Sequence, residues 1–129
     1  MSTPVPLERL RAALDERPPI AYLLTVSDDA RPHAVETRVV WEGGRLVADV
    51  GSRSAGNATM RPSVSLLYAT RHEGDYSLII DGTAAVAPYG DTWRVSIAPT
   101  KAVLHRPAAV PTPGSPCADD CVRLLRTVR

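Results

Sequence analysis

Apolar and polar residues alternate in short runs along most of the chain, and this alternation predicts a protein built mainly of β-strands. The pattern is clearest in residues 32–41, where Val35 and Val39 fall on one face and Glu36 and Arg38 fall on the other. Other runs of similar length are bounded by glycine, proline or charged residues. The predicted strands are Ile20–Val26, 32–41, Arg45–Val50, 64–70, 77–88, 93–98 and 102–105.

Two glycine-containing pairs interrupt this pattern. Gly43 and Gly44 separate two alternating runs and predict a hairpin turn. Asp81 and Gly82 lie inside the run 77–88, where they indicate either a tight turn or a β-bulge. Six or seven short strands at hairpin spacing predict a mostly β fold that forms a closed or nearly closed antiparallel barrel, although composition does not separate a barrel from a sandwich.

Helical periodicity is confined to short segments. Leu7, Leu10 and Leu14 recur at helical spacing and predict a helix over residues 7–17, with a start at Thr3 or Pro4 and an end at the following prolines. A second short helix is predicted over residues 54–60, between two strands.

Composition restricts the class of protein without identifying its activity. The chain has 129 residues, 44% of them hydrophobic and 22% charged, and a formal net charge of +1. These values are typical of one globular domain and give no reason to expect a nucleic acid partner. The chain has no apolar run of the roughly 20 residues that a membrane span requires. Because its first residues also lack the apolar core of a signal peptide, we expect a cytoplasmic location.

The most informative segment lies between the third and fourth predicted strands and reads GSRSAGNATMRP. It contains the hydroxyls of Ser52 and Ser54 and the guanidinium of Arg53, and a helix beginning at Ser54 would direct free backbone N–H groups into the loop. Hydroxyls, a fixed positive charge and a helix N-terminus form a phosphate-binding site in many proteins. The alternative is a serine-capped helix with a solvated arginine.

This segment, together with the VSLLY strand after it, resembles the phosphate-binding segment of the pyridoxamine 5'-phosphate oxidase-like, FMN-binding split-barrel family. Ser52 and Arg53 match the first two positions of that family's Ser-Arg-Lys run, while Ser54 stands where the family usually has lysine. Arg61 precedes Pro62, where the family has an acidic or amide residue. The resemblance covers residues 20–106.

The resemblance implies a six- to seven-stranded split barrel over residues 1–106 and a bulge at Asp81-Gly82. It also implies a homodimer with a flavin site between the subunits, and a flavin-dependent oxidoreductase with FMN as cofactor. The flavin phosphate would then lie against the segment just described and the N–H groups of residues 55–57. The implied cofactor-binding residues are Arg38, Ser52, Arg53, Ser54 and Asn57.

Two alternatives stay open within this resemblance. The first is a reductase that uses the deazaflavin coenzyme F420, whose acidic tail would need a longer basic groove from Arg38, Arg53, Arg61 and Arg106. The second is a non-enzymatic carrier or interaction module that has lost the cofactor site. Because flavin chemistry is carried by the cofactor, the lack of an acid–base or nucleophile motif is compatible with either enzymatic assignment.

The remaining candidate residues give weaker signals. Cys117 and Cys121 flank two aspartates in a tail, residues 107–129, that is rich in proline and ends in a predicted short helix. Their spacing is not diagnostic of a metal site, and three scattered histidines supply no further ligand pair. We therefore predict no metal site and assign no catalytic residue.

Overall fold

Seven strands and three short helical segments form the structure. It is a computed structural model, and it describes residues 2–107. The strands are β1 (Ser2–Pro4), β2 (Ile20–Val26), β3 (Pro32–Glu42), β4 (Arg45–Val50), β5 (Ser63–Tyr68), β6 (Ser77–Tyr89) and β7 (Thr92–His105). The helical segments are a 3-10 turn (Leu7–Arg9), α1 (Leu10–Asp15) and α2 (Ser52–Met60). The predicted tail helix lies outside the described residues.

The strands form one antiparallel sheet that closes on itself. Their order is β1-β7-β4-β3-β2-β5-β6, and an additional pairing of β6 with β7 closes a six-stranded barrel. The short strand β1 pairs with the end of β7, from Ser2 opposite His105 to Pro4 opposite Val103. The antiparallel barrel predicted from the sequence is confirmed, with β1 as an extra strand.

The core lies inside the barrel because the alternation of each strand directs one face inward. Leu23, Leu66, Leu78, Ile80 and Val95 are each 0% exposed. The helices add small or branched apolar side chains to the same cluster, which contains Leu10 of α1 and Ala55 and Ala58 of α2. Helix α2 packs against β2, β6 and β7.

The long hairpin of β6 and β7 corrects one prediction and confirms another. Residues 93–98 and 102–105 belong to one continuous strand rather than two. Asp81 pairs with Lys101 and Gly82 pairs with Pro99, so the register skips Thr100 at a bulge. This bulge accommodates Pro99, which has no N–H to donate to the sheet. The Asp81-Gly82 pair is therefore part of a bulge, and the alternative of a tight turn is wrong.

The helix boundaries also differ from the predicted ones. The first predicted helix divides into the 3-10 turn and α1 and ends at Asp15, while Thr3 and Pro4 belong to β1 and do not start a helix. Helix α2 begins at Ser52 rather than at Ser54, because its first intrahelical bond runs from the Ala55 N–H to the Gly51 carbonyl at 3.0 Å.

The bulge predicts a specific sensitivity to an added methyl group. A Cβ at Gly82 would lie 2.5 Å from Ile97 Cγ2 and 2.7 Å from the Ala98 carbonyl oxygen, and the latter contact is to backbone. Gly82→Ala should therefore lower the free energy of unfolding by about 1–3 kcal/mol, as overpacking does. Chemical denaturation followed by circular dichroism measures this change.

Gly56→Ala is the matched control for this prediction. A Cβ at Gly56 meets nothing within 4 Å, and the residue is exposed inside α2. Because alanine has the better helix propensity, this change should leave stability unaltered or raise it by up to about 1 kcal/mol. Equal stability of the Gly82→Ala variant and the parent would contradict the close packing at the bulge.

Candidate functional site

Helix α2 begins with backbone donors that no side chain caps. Its N-cap, Gly51, is extended, and no side chain accepts a hydrogen bond from the first turn. Because the intrahelical bonds start at Ala55, the N–H groups of Ser52, Arg53 and Ser54 have no partner within the helix. Ser52 and Arg53 are exposed. This N-terminus therefore presents free donors and a guanidinium to solvent, an arrangement that suits an anion.

Two of the predicted site residues face the barrel instead. Ser54 is 4% exposed and Asn57 is 8% exposed. The Asn57 amide Nδ2 donates to the Thr25 hydroxyl at 3.1 Å, a buried bond between α2 and β2. The side chains of Ser54 and Asn57 thus belong to the helix–barrel contact, and the N–H of Ala55 is used within the helix. The exposed groups of the first turn are those of Ser52 and Arg53.

Strand β3, which pairs with β4, carries Arg38. This residue is exposed on the outer face of β3, directly opposite Ile20 on β2. The neighbouring Thr37 hydroxyl donates to the Asp49 carbonyl at 3.2 Å, which ties β3 to the end of β4 just before Gly51. Arg38 therefore lies on the strand next to the one that leads into α2.

An ion pair offsets the negative charge of Asp49, the carboxylate closest in sequence to the free N–H groups of α2. Asp49 Oδ1 lies 2.9 Å from Arg94 Nε, with both side chains partly exposed. The hydrogen bond that Arg94 donates to Asp49 raises the pKa of Arg94 above its ordinary value. Without this partner the Asp49 charge would oppose an anion at the start of α2. Trp93 lies opposite Val50 in the sheet and is 38% exposed, so a partly exposed indole flanks the same loop.

The four arginines of the proposed longer groove do not converge. Arg61 Nη2 lies 2.6 Å from Asp28 Oδ1, and its Nη1 donates to the Val26 carbonyl at the C-terminal end of β2. Arg106 donates to the Gly74 carbonyl at 3.1 Å and lies near Ile20 at the other end of that strand. Seven residues of strand span about 20 Å. Arg61 and Arg106 therefore lie at opposite ends of β2.

A cavity of about 820 Å³ is lined by residues outside α2. It is bounded by the end of α1, the first half of β2, the connection between β5 and β6, and the end of β7. Glu36 and Tyr22, which pair across β3 and β2, form one edge of the cavity. Sequence reasoning missed this cavity because its walls come from four segments that are distant along the chain.

An arginine and a tyrosine form the polar part of the cavity. Arg17 Nη1 donates to the Ala13 carbonyl at 2.8 Å and Nη2 donates to the Tyr76 carbonyl at 3.1 Å, so backbone oxygens hold the guanidinium in place. Tyr68 is 3% exposed. Burial raises the pKa of Tyr68 to about 12, against the smaller opposing effect of the nearby Arg17 charge. The Tyr68 phenol is therefore a neutral hydrogen-bond donor at ordinary pH.

The remaining titratable residues do not form a further centre. His105 Nδ1 lies 3.0 Å from the Ser2 hydroxyl, and His72 is exposed in the loop before β6. Within residues 2–107, no group of three or more His, Cys, Asp or Glu side chains is placed to hold a metal ion. The same residues contain no helix with the length and hydropathy of a membrane span. Cys117 and Cys121 lie outside the described residues.

Two curated mycobacterial proteins are similar to the chain along nearly its whole length. Mb0449c of Mycobacterium bovis and MT0457 of Mycobacterium tuberculosis, both described as uncharacterized, are each 41% identical over 133 residues, covering 92% of this chain and 93% of their own. No protein-family model matches the sequence.

Solved structures share the fold at much lower identity. A Listeria innocua protein named as a pyridoxamine 5'-phosphate oxidase superposes with a TM-score of 0.64 at 17% identity, covering 76% of this chain and 96% of its own. A structure named F420 reductase has a TM-score of 0.59 at 18% identity, with coverages of 70% and 93%. The FAD-binding protein of Mycobacterium smegmatis has a TM-score of 0.56 at 17% identity, with coverages of 82% and 100%.

The raised pKa of Tyr68 predicts a loss of stability at high pH. The unfolded phenol ionises near pH 10, whereas the folded one resists ionisation until about pH 12. The stabilisation from burying the neutral phenol is complete below pH 10 and is lost as the pH rises through 12. Melting temperatures of the parent should therefore fall more steeply over this range than those of Tyr68→Phe.

Tyr22→Phe is the control for this pH dependence, because Tyr22 is 40% exposed. It should follow the parent over the whole range. A Tyr68→Phe variant with the same alkaline loss as the parent would show that the Tyr68 phenol does not contribute to it.

Proposed function

The chain belongs to the family of the mycobacterial proteins Mb0449c and MT0457 and has the split-barrel fold of pyridoxamine 5'-phosphate oxidase-like proteins, and from this premise we propose that it is a flavin-binding oxidoreductase. FMN is the proposed cofactor. The names of the structural neighbours support a flavin-type cofactor, because they include an F420 reductase and an FAD-binding protein. We retain a cytoplasmic location as part of the proposal.

The uncapped N-terminus of α2 is the observation that carries the proposal. A flavin phosphate needs several donors and a positive charge at one place. The free N–H groups of Ser52, Arg53 and Ser54, the Ser52 hydroxyl and the Arg53 guanidinium provide these. The residues present therefore fit the phosphate, although the Ser54 and Asn57 side chains would contribute through the helix packing and not by direct contact.

A bound flavin would supply the hydride or electron transfer, and the protein would bind and orient it. Arg53 would hold the phosphate in this arrangement. Arg38, exposed on the adjacent strand, is the second proposed cofactor contact. The Arg94–Asp49 pair would keep the neighbouring carboxylate from opposing the phosphate.

The separation of the arginines favours FMN over the deazaflavin coenzyme. F420 has an extended acidic tail, and Arg61 and Arg106 cannot line one continuous path with Arg53, since they lie at opposite ends of β2. Arg61 is also engaged by Asp28. A carrier or interaction module without a cofactor is the remaining alternative. It would leave the free donors of α2 without an anion.

Replacement of Arg53 tests the phosphate site directly. Charge-assisted hydrogen bonds contribute about 1.5–3 kcal/mol, so Arg53→Ala should weaken FMN binding by about ten- to a hundred-fold. Because Arg53 is exposed, the melting temperature should barely change. Quenching of tryptophan fluorescence gives a convenient readout, since Trp93 flanks the loop.

Arg11→Ala is the matched control, since Arg11 is an exposed arginine on α1. It should bind FMN as the parent does. The same titration with F420 discriminates between the cofactors. If Arg53→Ala binds both as tightly as the parent, the phosphate lies elsewhere, and if the parent binds neither, the non-enzymatic alternative takes over.

We further propose that the protein is a homodimer. The outer face of the β2–β3–β5 region is unusually apolar for a surface: Tyr22 is 40% and Val40 is 42% exposed. Leu24 and Leu67, which are half-buried, extend the same face. Exposed apolar side chains grouped on one face of a sheet are typical of association surfaces. A second subunit on this face would also lie beside the outer face of β3 that carries Arg38.

The dimer predicts a particle of twice the chain mass in light scattering at high micromolar concentration. Leu67→Lys should convert it to a monomer, because a charge would be buried in the interface. Met60→Lys is the control, since Met60 is 68% exposed and belongs to α2 rather than to these strands. A monomeric parent would refute the proposed assembly.

A further inference from the structure

We propose that the 820 Å³ cavity beside α1 binds a small aromatic anion, with its acidic group at Arg17 and Tyr68 and its ring against Tyr76 and the aliphatic side chains of Ile20 and Leu104. This inference goes beyond the flavin site, because the residues that line the cavity include none from α2, and the cavity does not require a bound flavin. The volume is within the range of small-molecule pockets, about 300–1,000 Å³.

The position of Arg17 gives the cavity its preference for an anion. Its guanidinium is half-buried and fixed by two backbone carbonyls, Ala13 and Tyr76, which are neutral acceptors. A guanidinium has five N–H donors, so further donors remain for a ligand after these two bonds. A charge held by neutral oxygens retains its attraction for an anion.

The acidic residues of the cavity do not cancel this preference. Glu16, Glu36 and Asp75 all line it, but all three are exposed at its rim. The charged side chains that are half-buried in the wall are arginines, Arg17 and Arg106. Charges at an exposed rim are screened by water and salt, whereas those in the wall act through a lower dielectric. The wall therefore attracts a negative group.

Tyr68 supplies a second donor to the same group. The phenol is buried, and Tyr68 lines the cavity together with Arg17. A carboxylate or phosphate that accepts from both Arg17 and Tyr68 would be bound by two convergent donors, one charged and one neutral.

The rest of the wall is suited to a flat apolar group. Ile20 and Leu104 contribute aliphatic surface, and Tyr22 and Tyr76 contribute rings. The guanidinium of Arg106 already covers the Tyr76 ring, with its carbon 4.5 Å from the centroid. A conjugated acid matches this combination of ring surface and cationic wall.

The experiment is a calorimetric titration of the full-length protein, without flavin, with 2-naphthoate as the probe and 2-naphthamide as its uncharged analogue. The parent should bind the acid and bind the amide at least about ten-fold more weakly, as loss of a charge-assisted bond implies. Arg17→Gln should weaken naphthoate binding by about ten- to a hundred-fold. Tyr68→Phe should weaken it by about three- to ten-fold, since it loses one neutral bond.

Arg11→Gln, an exposed arginine change on the same helix, is the control and should bind naphthoate as the parent does. Melting curves show whether Arg17→Gln folds. If it does not fold, the naphthoate affinity of Tyr68→Phe and the comparison of acid with amide still test the proposal. The proposal would be overturned if the parent did not bind naphthoate, or if it bound the acid and the amide equally. It would also be overturned if Tyr68→Phe and Arg17→Gln both bound naphthoate as tightly as the parent does.

Arg53→Ala separates this inference from the flavin proposal. It should leave naphthoate affinity unchanged while it weakens FMN binding. Loss of FMN binding alone leaves the cavity proposal standing, and loss of naphthoate binding alone leaves the flavin proposal standing.

Discussion

The pairing of β6 with β7 is the interaction on which the rest of the structure depends. It runs from Ser77 opposite His105 to Tyr89 opposite Thr92 and closes the barrel. The other edge of β6 holds β5, and the other edge of β7 holds β4 and β1. The position of α2 follows from this arrangement, because Val50 pairs with Trp93 directly before the helix begins. The cavity depends on it too, since Leu104 pairs with Leu78 at the other end of the hairpin.

Strand positions were predictable because alternation is a local property of the sequence. The run 32–41 and the segment Arg45–Val50 appear in the structure almost unchanged. The division of β7 was wrong because Pro99 is a strand breaker unless a bulge accommodates it, and the bulge depends on Gly82 in the partner strand. The strand β1 was missed because three residues carry no periodic signal and are fixed only by their pairing with β7.

The first residue of α2 was predicted wrongly for a different reason. Ser52 and Ser54 are both good N-cap residues, so local preference does not choose between them. Packing decides: Ala55 and Ala58 enter the core, and Asn57 binds Thr25. The resulting rotation of the helix about its axis directs the Ser54 side chain inward and leaves Arg53 in solvent. The spacing of Ser54, Asn57 and Ala58 in the sequence indicated this orientation, since residues three and four apart share one face of a helix. Arg17 and Tyr68 had no comparable signal, because only the closed barrel brings them together.

The two candidate anion sites differ in how their positive charge is held, and this difference sets their physical behaviour. Arg53 is exposed at the start of a helix, so salt screens its attraction for a phosphate, and the free N–H groups must supply much of the binding. Arg17 is half-buried and bound to the Ala13 and Tyr76 carbonyls, so its charge is screened less, and it also holds α1 against the loop before β6. Added salt should therefore weaken an anion at α2 more than one in the cavity. The Arg17 side chain serves both the fold and the proposed site, whereas Arg53 contributes to the proposed site alone.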